Sequence, residues 1–453
     1  MDATLKKKSR TSKRPPVRPR AGFETVEAFF VDMNGVPRGK WVPESSIKKI
    51  TSAGLRMALS AFAVDIWGED VIESGLIKET GDSDGNCRLV DGSLRPMPWL
   101  KNTAQALLTV DGFFGDPRQV LARVLDRYQK AGLTPVIAAE LEFYLIDARR
   151  DEYGGPVPAR APATGRRAAT AQTYSLSTTD DFRSVLADIS RFCAAQNLPA
   201  DTTISENGPG QFEINLSHKS DALAAADDAV FLKRLIKGAA RRHGLAATFM
   251  AKPYSRHAGS GMHAHFSVLD RSGRNIFAGK NAKGSAALHH AIGGLCKTMA
   301  DGMAVFAPNV NAFRRFAAAS PARAKIAWGY DNRAAALRVP HSDIAATRIE
   351  HRVAGADANP YLVFALILAG ALEGIEKKTR PPAPAKGEHC PPKTPSLPVT
   401  PDDALDLFAR SRFIDRALGP DYKKIYLACK WQEMDVFASE VTSAEHDAYL
   451  MEA

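Results

Sequence analysis

The sequence predicts an α+β fold in two parts. A small β-rich domain over residues 21–115 precedes a large domain over residues 116–453 in which helices and strands alternate. Three observations carry this expectation. A hairpin pattern opens the first part: residues 25–33 read as a strand, Asn34-Gly35 as a turn, and residues 40–42 as the start of the return strand. Residues 43–115 are short apolar segments broken by Gly, Pro, Asp and Ser. At Gly115-Asp116-Pro117 a capping residue and a first-turn proline begin a helix, whose stripe of Val120, Leu121, Val124, Leu125 and Tyr128 ends at Gly132.

The later elements follow from period and punctuation. Residues 135–146 read as a strand, 182–196 as a helix, 203–216 as mostly extended, and 221–243 as a long amphipathic helix stopped by Gly244. Strands are expected at 246–250 and 262–269, and one helix over 286–306. The apolar run 361–372 has 12 residues, against the roughly 20 a membrane span needs. It follows Asn359-Pro360, so it reads as a buried helix, and no membrane association is expected. Eight prolines within 380–401 make that stretch an extended loop, and a helical C-terminal piece starts at 402–409.

Composition excludes several classes. With 45% hydrophobic and 24% charged residues among 453, the chain is globular with a sizeable core. Five scattered cysteines without a CxxC spacing argue against a disulfide framework or a zinc site and suit the cytoplasm. The net charge of +10 is concentrated in residues 1–20, where eight Lys and Arg face one Asp. That tail reads as solvated and disordered, with nucleic acid or an anionic surface as the less favoured partner. No apolar segment of signal-peptide length follows it.

The chemistry lies in strands with ionisable residues two apart, which places them on one face. Glu140-Leu-Glu142, Gln211-Phe-Glu213-Ile-Asn215, His263-Ala-His265-Phe-Ser267 and Arg348-Ile-Glu350-His-Arg352 all have this pattern, and Glu206 lies seven residues before Glu213. Any one strand could simply have a wet outer face. Four of them carrying acid, imidazole or guanidinium groups, with almost no Lys or Thr, point to coordination. Five glutamates around one cavity need cations to stay ionised. An oxygen-rich ligand set favours Mg²⁺ or Mn²⁺, and arginines beside it suit phosphate, so the pattern suggests metal-assisted phosphoryl transfer. Gly259-Ser-Gly261-Met-His-Ala264 precedes a strand and is no dinucleotide loop, and residues 273–280 depart from a P-loop in spacing.

These residues resemble the successive signatures of the glutamine synthetase family. The resemblance runs through Glu140-Leu-Glu142-Phe, Gly210-Gln-Phe-Glu213, Lys252-Pro253, Gly259-Ser-Gly-Met-His263-Ala-His265, Asn332-Arg333, Arg338-Val-Pro340 and Arg348-Ile-Glu350-His-Arg352. It implies a β-grasp N-terminal domain, a catalytic domain with a curved antiparallel sheet flanked by helices, and two or three Mg²⁺ or Mn²⁺ ions with ATP as co-substrate. Position by position it implies Glu142, Glu206 and Glu213 as ligands of one metal and Glu140, His263 and Glu350 as ligands of a second. Arg315, Arg352 and Gly259 would hold substrate glutamate. His265, Ser267, Arg338 and Arg348 would lie on the ATP side, and Arg333 on the transferring phosphoryl group. It also implies a homo-oligomer of stacked rings, a dodecamer, with active sites between subunits. Asp65 is the candidate base for deprotonating the amine; an acid capping a strand is the plain alternative.

Three departures from the family pattern bear on the acceptor, one of them the absence from residues 380–401 of the tyrosine motif through which some bacterial members are adenylylated. Ammonia-using members carry an acid where this chain has Pro321 and an asparagine where it has Ala258. With residues 62–68, 81–88 and 94–99, these departures resemble the γ-glutamylpolyamine synthetase branch. The expected activity is a glutamate–amine ligase forming a γ-glutamyl amide from glutamate, ATP and a small amine or polyamine. An ammonia-using glutamine synthetase and a non-catalytic scaffold or regulator are the alternatives.

Overall fold

The computed structural model describes residues 22–168, 172–317 and 324–453. The basic tail and Pro321 lie outside the described residues. Among the described residues no helix is long and apolar enough to cross a membrane.

The N-terminal part is a mixed sheet of β1 (Thr25–Val31), β2 (Pro37–Pro43), β3 (Leu55–Ala58), β4 (Asp84–Leu89), β5 (Arg95–Pro96) and β6 (Thr103–Thr109). Its order is β2-β1-β6-β4-β3, with β5 beside β6. The predicted hairpin forms as β1 and β2, antiparallel from Thr25 opposite Pro43 to Val31 opposite Pro37. A parallel central pair, β1 and β6, with one helix (Ile47–Ala53) packed on the sheet is the β-grasp arrangement. The run TVEAFFV does not alternate in polarity because β1 is covered on both faces. Val26, Ala28 and Phe30 pack with Ile47 and Ile50, while Phe29 and Val31 join the core of the large domain.

The helix after Gly115-Asp116-Pro117 starts where the sequence predicts it. Asp116 caps the helix Pro117–Lys130 by accepting from the backbone N–H of Arg118 at 2.8 Å. Its other oxygen accepts from Thr109 Oγ1 (2.6 Å) and Val110 N–H (2.9 Å), so one buried carboxylate ties the end of β6 to the next element.

The large domain is built on a curved half-barrel of β7 (Thr134–Arg150), β8 (Pro156–Pro158), β9 (Ala200–Ser205), β10 (Gln211–Leu216), β11 (Leu245–Thr248), β12 (Met262–Leu269), β13 (Trp328–Tyr330), β14 (Leu337–Val339) and β15 (Ile349–His351). Their order is β13-β14-β15-β12-β7-β10-β9, with β8 and β11 also on β7. Except for the parallel pair β13 and β14, the pairing is antiparallel. One face packs on helices Pro117–Lys130 and Ala222–Arg242, with Leu141, Phe143, Phe212, Ile214, Met262 and Phe266 in the shared core, and the helix Pro360–Glu376 packs on those two helices. The helix Pro360–Glu376 is apolar all round and almost wholly buried, as its sequence predicts. It meets the helix Ala286–Thr298 so closely that a Cβ on Gly374 would stand 2.2 Å from the carbonyl of His290.

One predicted element differs. The single helix expected over 286–306 is two, Ala286–Thr298 and Met303–Phe306. Thr298 Oγ1 donates back to the carbonyl of Gly294 at 3.0 Å, and the chain turns through Gly302, whose N–H bonds to the carbonyl of Met299.

Candidate active site

Register gathers the alternating residues onto one face of the half-barrel. Glu213 on β10 lies opposite Glu142 on β7, and Asn215 opposite Glu140. On the other side of β7, Glu140 faces His263 of β12, and further along β12 His265 faces Glu350 of β15. Arg338 on β14 is next, opposite Glu350. Glu206 follows the end of β9 and reaches the same cluster.

Three groups of donor atoms lie within 4.8 Å of one another: Glu142, Glu206 and Glu213; Glu140, Glu213 and His263; and Glu140, His265 and Glu350. The first is the set of one expected metal site. The second set expected from sequence, Glu140, His263 and Glu350, is met differently. His263 Nδ1 is 3.3 Å from Glu140 Oε2 and 3.8 Å from Glu350 Oε1, while His265 Nε2 is 2.8 Å from Glu140 Oε1 and also 3.8 Å from Glu350 Oε1. Both imidazoles thus stand among the carboxylates, and His265 is closer to them than an ATP-side position alone suggests.

The charges are unevenly balanced. Burial and the neighbouring Glu140, Glu142 and Glu206 push Glu213 up to about 9, and burial with Glu142 pushes Glu206 up to about 7. Burial acts on Glu140 too, but hydrogen bonds from His263 and His265 hold it well below the usual carboxylate range. Glu350 is also held low, against its burial, by Arg352 and the two histidines. It receives Arg338 Nη1 at 2.9 Å and a close contact from Arg352. One side of the cluster therefore has arginine and histidine partners in contact, while on the other the charges of Arg333 and Arg352 are outweighed by burial and neighbouring carboxylates. A hard divalent ion bound by oxygens is what Glu142, Glu206 and Glu213 fit.

The glycines beside the cluster serve close approach. Gly261 N–H donates to Glu142 Oε2 at 2.6 Å, and Gln211 Nε2 to the carbonyl of Gly259 at 3.0 Å. Arg315, on the helix Val310–Ala317, lies over this segment: a Cβ on Gly259 would come within 2.7 Å of its side chain, and one on Gly261 within 3.0 Å of Nη2. Its Nη1 donates to the carbonyl of Val353 at 3.0 Å.

Other predicted residues are more loosely placed. Arg348 flanks β15 and donates from Nε to His265 Nδ1 at 3.3 Å. Ser267 is two residues beyond His265 on β12, opposite Val136. Arg333 is exposed, and its charge reaches Glu206. Asp65 stands apart. Its Oδ1 accepts the N–H groups of Trp67 (3.0 Å) and Glu69 (2.9 Å), and its Oδ2 accepts Gln432 Nε2 (2.9 Å), so within its own chain it closes a turn against the helix Pro420–Ser439. That is the capping alternative to the expected base.

Three residues near the site had no assigned role. Asn215 Nδ2 lies 3.5 Å from Glu140 Oε1, and alternation along β10 was a signal for it. His218, beyond the strand end, meets the ring of His265 at 6.1 Å and is pushed down to about 4 by burial. Tyr144 Oη donates to the carbonyl of Ala258 at 2.7 Å. Nothing local in the sequence marks the last two.

Known proteins are similar to this chain in sequence and fold. Residues 114–449 match the glutamine synthetase catalytic domain. The chain is 41% identical over 434 residues to the γ-glutamylputrescine synthetase PuuA of Escherichia coli (strain K12), a match covering 94% of this chain and 92% of that protein. It is 31% identical over 443 residues to a glutamate–isopropylamine ligase of a Pseudomonas species, covering 94% and 95%. The ligand-free structure of GmaS superposes with a TM-score of 0.82 at 28% identity, covering 95% of this chain and 97% of that one. In sequence over its whole large domain and in fold throughout, the chain belongs to the glutamine synthetase family.

Proposed function

We propose that this protein is an ATP-dependent carbon–nitrogen ligase that joins an amine to the γ-carboxylate of L-glutamate through γ-glutamyl phosphate. The observation that supports this most is the convergence of five glutamates and two histidines on one sheet face beside Arg338 and Arg352. In this reading Glu142, Glu206 and Glu213 hold one Mg²⁺ or Mn²⁺, and Glu140, Glu350 and His263 hold a second, with His265 nearby on the nucleotide side. An ion held by these residues would supply positive charge to offset the negative charge of the phosphate oxygens.

The protein's own residues position the reactants. Arg315, Arg352 and the Gly259 backbone hold glutamate, Arg338, Arg348 and Ser267 face the nucleotide, and Arg333 meets the moving phosphoryl group. A γ-carboxylate oxygen attacks the terminal phosphorus of ATP as the bond to ADP breaks. The amine lone pair then attacks the acyl carbon, phosphate leaves, and the surplus proton passes to a base. Within one chain Asp65 is engaged in its own turn, so its role as that base is proposed only across a subunit boundary. The matching assembly is a ring homo-oligomer, a dodecamer of stacked rings, in which residues 21–115 of one subunit face the large domain, 116–453, of the next. Five cysteines without disulfides suit the cytoplasm.

An organic amine is preferred to ammonia as acceptor because Ala258 stands where ammonia users have an amide, and two named relatives act on putrescine and isopropylamine. ADP release, measured with glutamate and Mg²⁺ fixed and ammonium, ethanolamine, an alkylamine, putrescine or spermine varied, tests the proposal. Turnover with an organic amine is expected. Turnover with ammonium alone at millimolar levels would make the protein a glutamine synthetase, and none with any acceptor would leave a non-catalytic relative.

A further inference from the structure

Behind Arg315 lies a polar clamp outside the expected ligand sets. Asn309 precedes the helix Val310–Ala317, and its Oδ1 accepts the N–H of Ala312 at 2.9 Å, capping the helix. Its Nδ2 donates to Asp357 Oδ2 at 2.8 Å. Asn311 makes a reciprocal pair with the backbone of Lys252, accepting its N–H at 2.8 Å and donating to its carbonyl at 2.9 Å. The helix is thus held at its start by two side chains reaching opposite neighbours.

Asp357 belongs to the loop after β15, which the fold stitches beneath the glycines of the site. Met262 N–H bonds to the carbonyl of Ala354, Ala356 N–H to that of Ser260, and Gly355 N–H to that of Phe306. The same loop supplies the Val353 carbonyl that receives Arg315 Nη1. Burial raises the Asp357 carboxyl, and the positive charges bearing on it are Arg315 and Lys233, whose Nζ donates to the neighbouring carbonyl of Ala358 at 3.0 Å. Its Oδ1 is enclosed without a hydrogen bond among the described residues.

We propose that Asp357 and Asn309 are positioning residues for Arg315. The carboxylate anchors the cap of the helix that carries Arg315 and offers negative charge behind the guanidinium, which keeps that side chain over Gly259 and Gly261. The inference rests on the reading that Arg315 holds substrate glutamate, and it adds that the strength of this hold is set from a loop that touches no substrate.

Steady-state kinetics of the full-length enzyme with putrescine, varying glutamate and ATP separately, test it with three variants. Arg315→Ala is the reference and should raise KM for glutamate strongly. Asp357→Ala should raise KM for glutamate about tenfold, the scale of one hydrogen bond to a charged group, with KM for ATP within about twofold of wild type. Asp357→Asn keeps an acceptor for Asn309 and loses the charge, so it should fall between wild type and Asp357→Ala; it carries the test alone if Asp357→Ala does not fold. Unchanged glutamate KM in the Asp357 variants, or equal rises in both KM values, would overturn the pair while Arg315→Ala still shows its effect. If Arg315→Ala leaves glutamate KM unchanged, the glutamate-site reading itself falls, and the pair with it.

Discussion

Glu213→Gln separates metal binding from folding. The carboxyl of Glu213 is buried against Glu140, Glu142 and Glu206 and pushed up to about 9 from an ordinary 4.5. Because its folded value is raised, its contribution to the stability of metal-free protein is complete below about pH 4.5 and is lost as pH rises through about 9. At pH 7.5 the group must stay protonated some three units above its ordinary value, at about 1.4 kcal/mol per unit, a cost on the order of 4 kcal/mol. An amide of the same shape carries no such cost. Metal-free Glu213→Gln should therefore be more stable than wild type at pH 7.5, by several degrees in Tm. Mg²⁺ should reverse the order, because it replaces the proton in wild type and finds a missing ligand in the variant. Thermal unfolding of both proteins with EDTA or with about 10 mM Mg²⁺, at pH 6, 7.5 and 9, measures these states. In wild type the stabilisation by Mg²⁺ should grow across that range as it displaces protons from Glu206 and Glu213. A variant less stable than wild type without metal, or one with the same response to Mg²⁺, would refute the electrostatic account.

Further expectations follow from other residues. Glu142→Ala removes the carboxylate that accepts Gly261 N–H and shares the Glu206 and Glu213 group, so Mg²⁺-dependent ADP formation should fall by at least about a hundredfold; activity near wild type would take Glu142 out of the site. Asn359 caps the helix Pro360–Glu376 through Tyr361 N–H and donates to the carbonyl of Asp32 in the other domain at 2.9 Å. Asn359→Ala should thus destabilise the protein by about 1–2 kcal/mol in denaturant unfolding, through loss of the cap and of one buried hydrogen bond, while the Asp32 carbonyl keeps the N–H of Gly35. Removing residues 1–20 should leave kcat and both KM values within about twofold; a large loss would give the basic tail a part in catalysis.

Much of the site was legible because a strand displays its residues with a period of two. Glu140 and Glu142, His263 and His265, and Glu213 and Asn215 share a face by that rule alone, and β12 runs from Met262 to Leu269 as its sequence reads. The rule cannot say which imidazole meets which acid. That depends on the strand order β15-β12-β7-β10, which joins residues far apart in the chain and sets His263 opposite Glu140 and His265 opposite Glu350. Asp65 shows the same division. An acid after an apolar run can be a base or a cap, and only the docking of Gln432 from a distant helix shows its carboxylate engaged.

Local chemistry thus determined the elements, the buried helix after Asn359-Pro360, the helix start capped by Asp116 and the kind of site, since period, capping and charge act over a few residues. Register, the surplus of negative charge at Glu206 and Glu213, and the clamp behind Arg315 were decided by tertiary structure. Each depends on how far one strand or loop slides past another, and that is set by packing in the whole core.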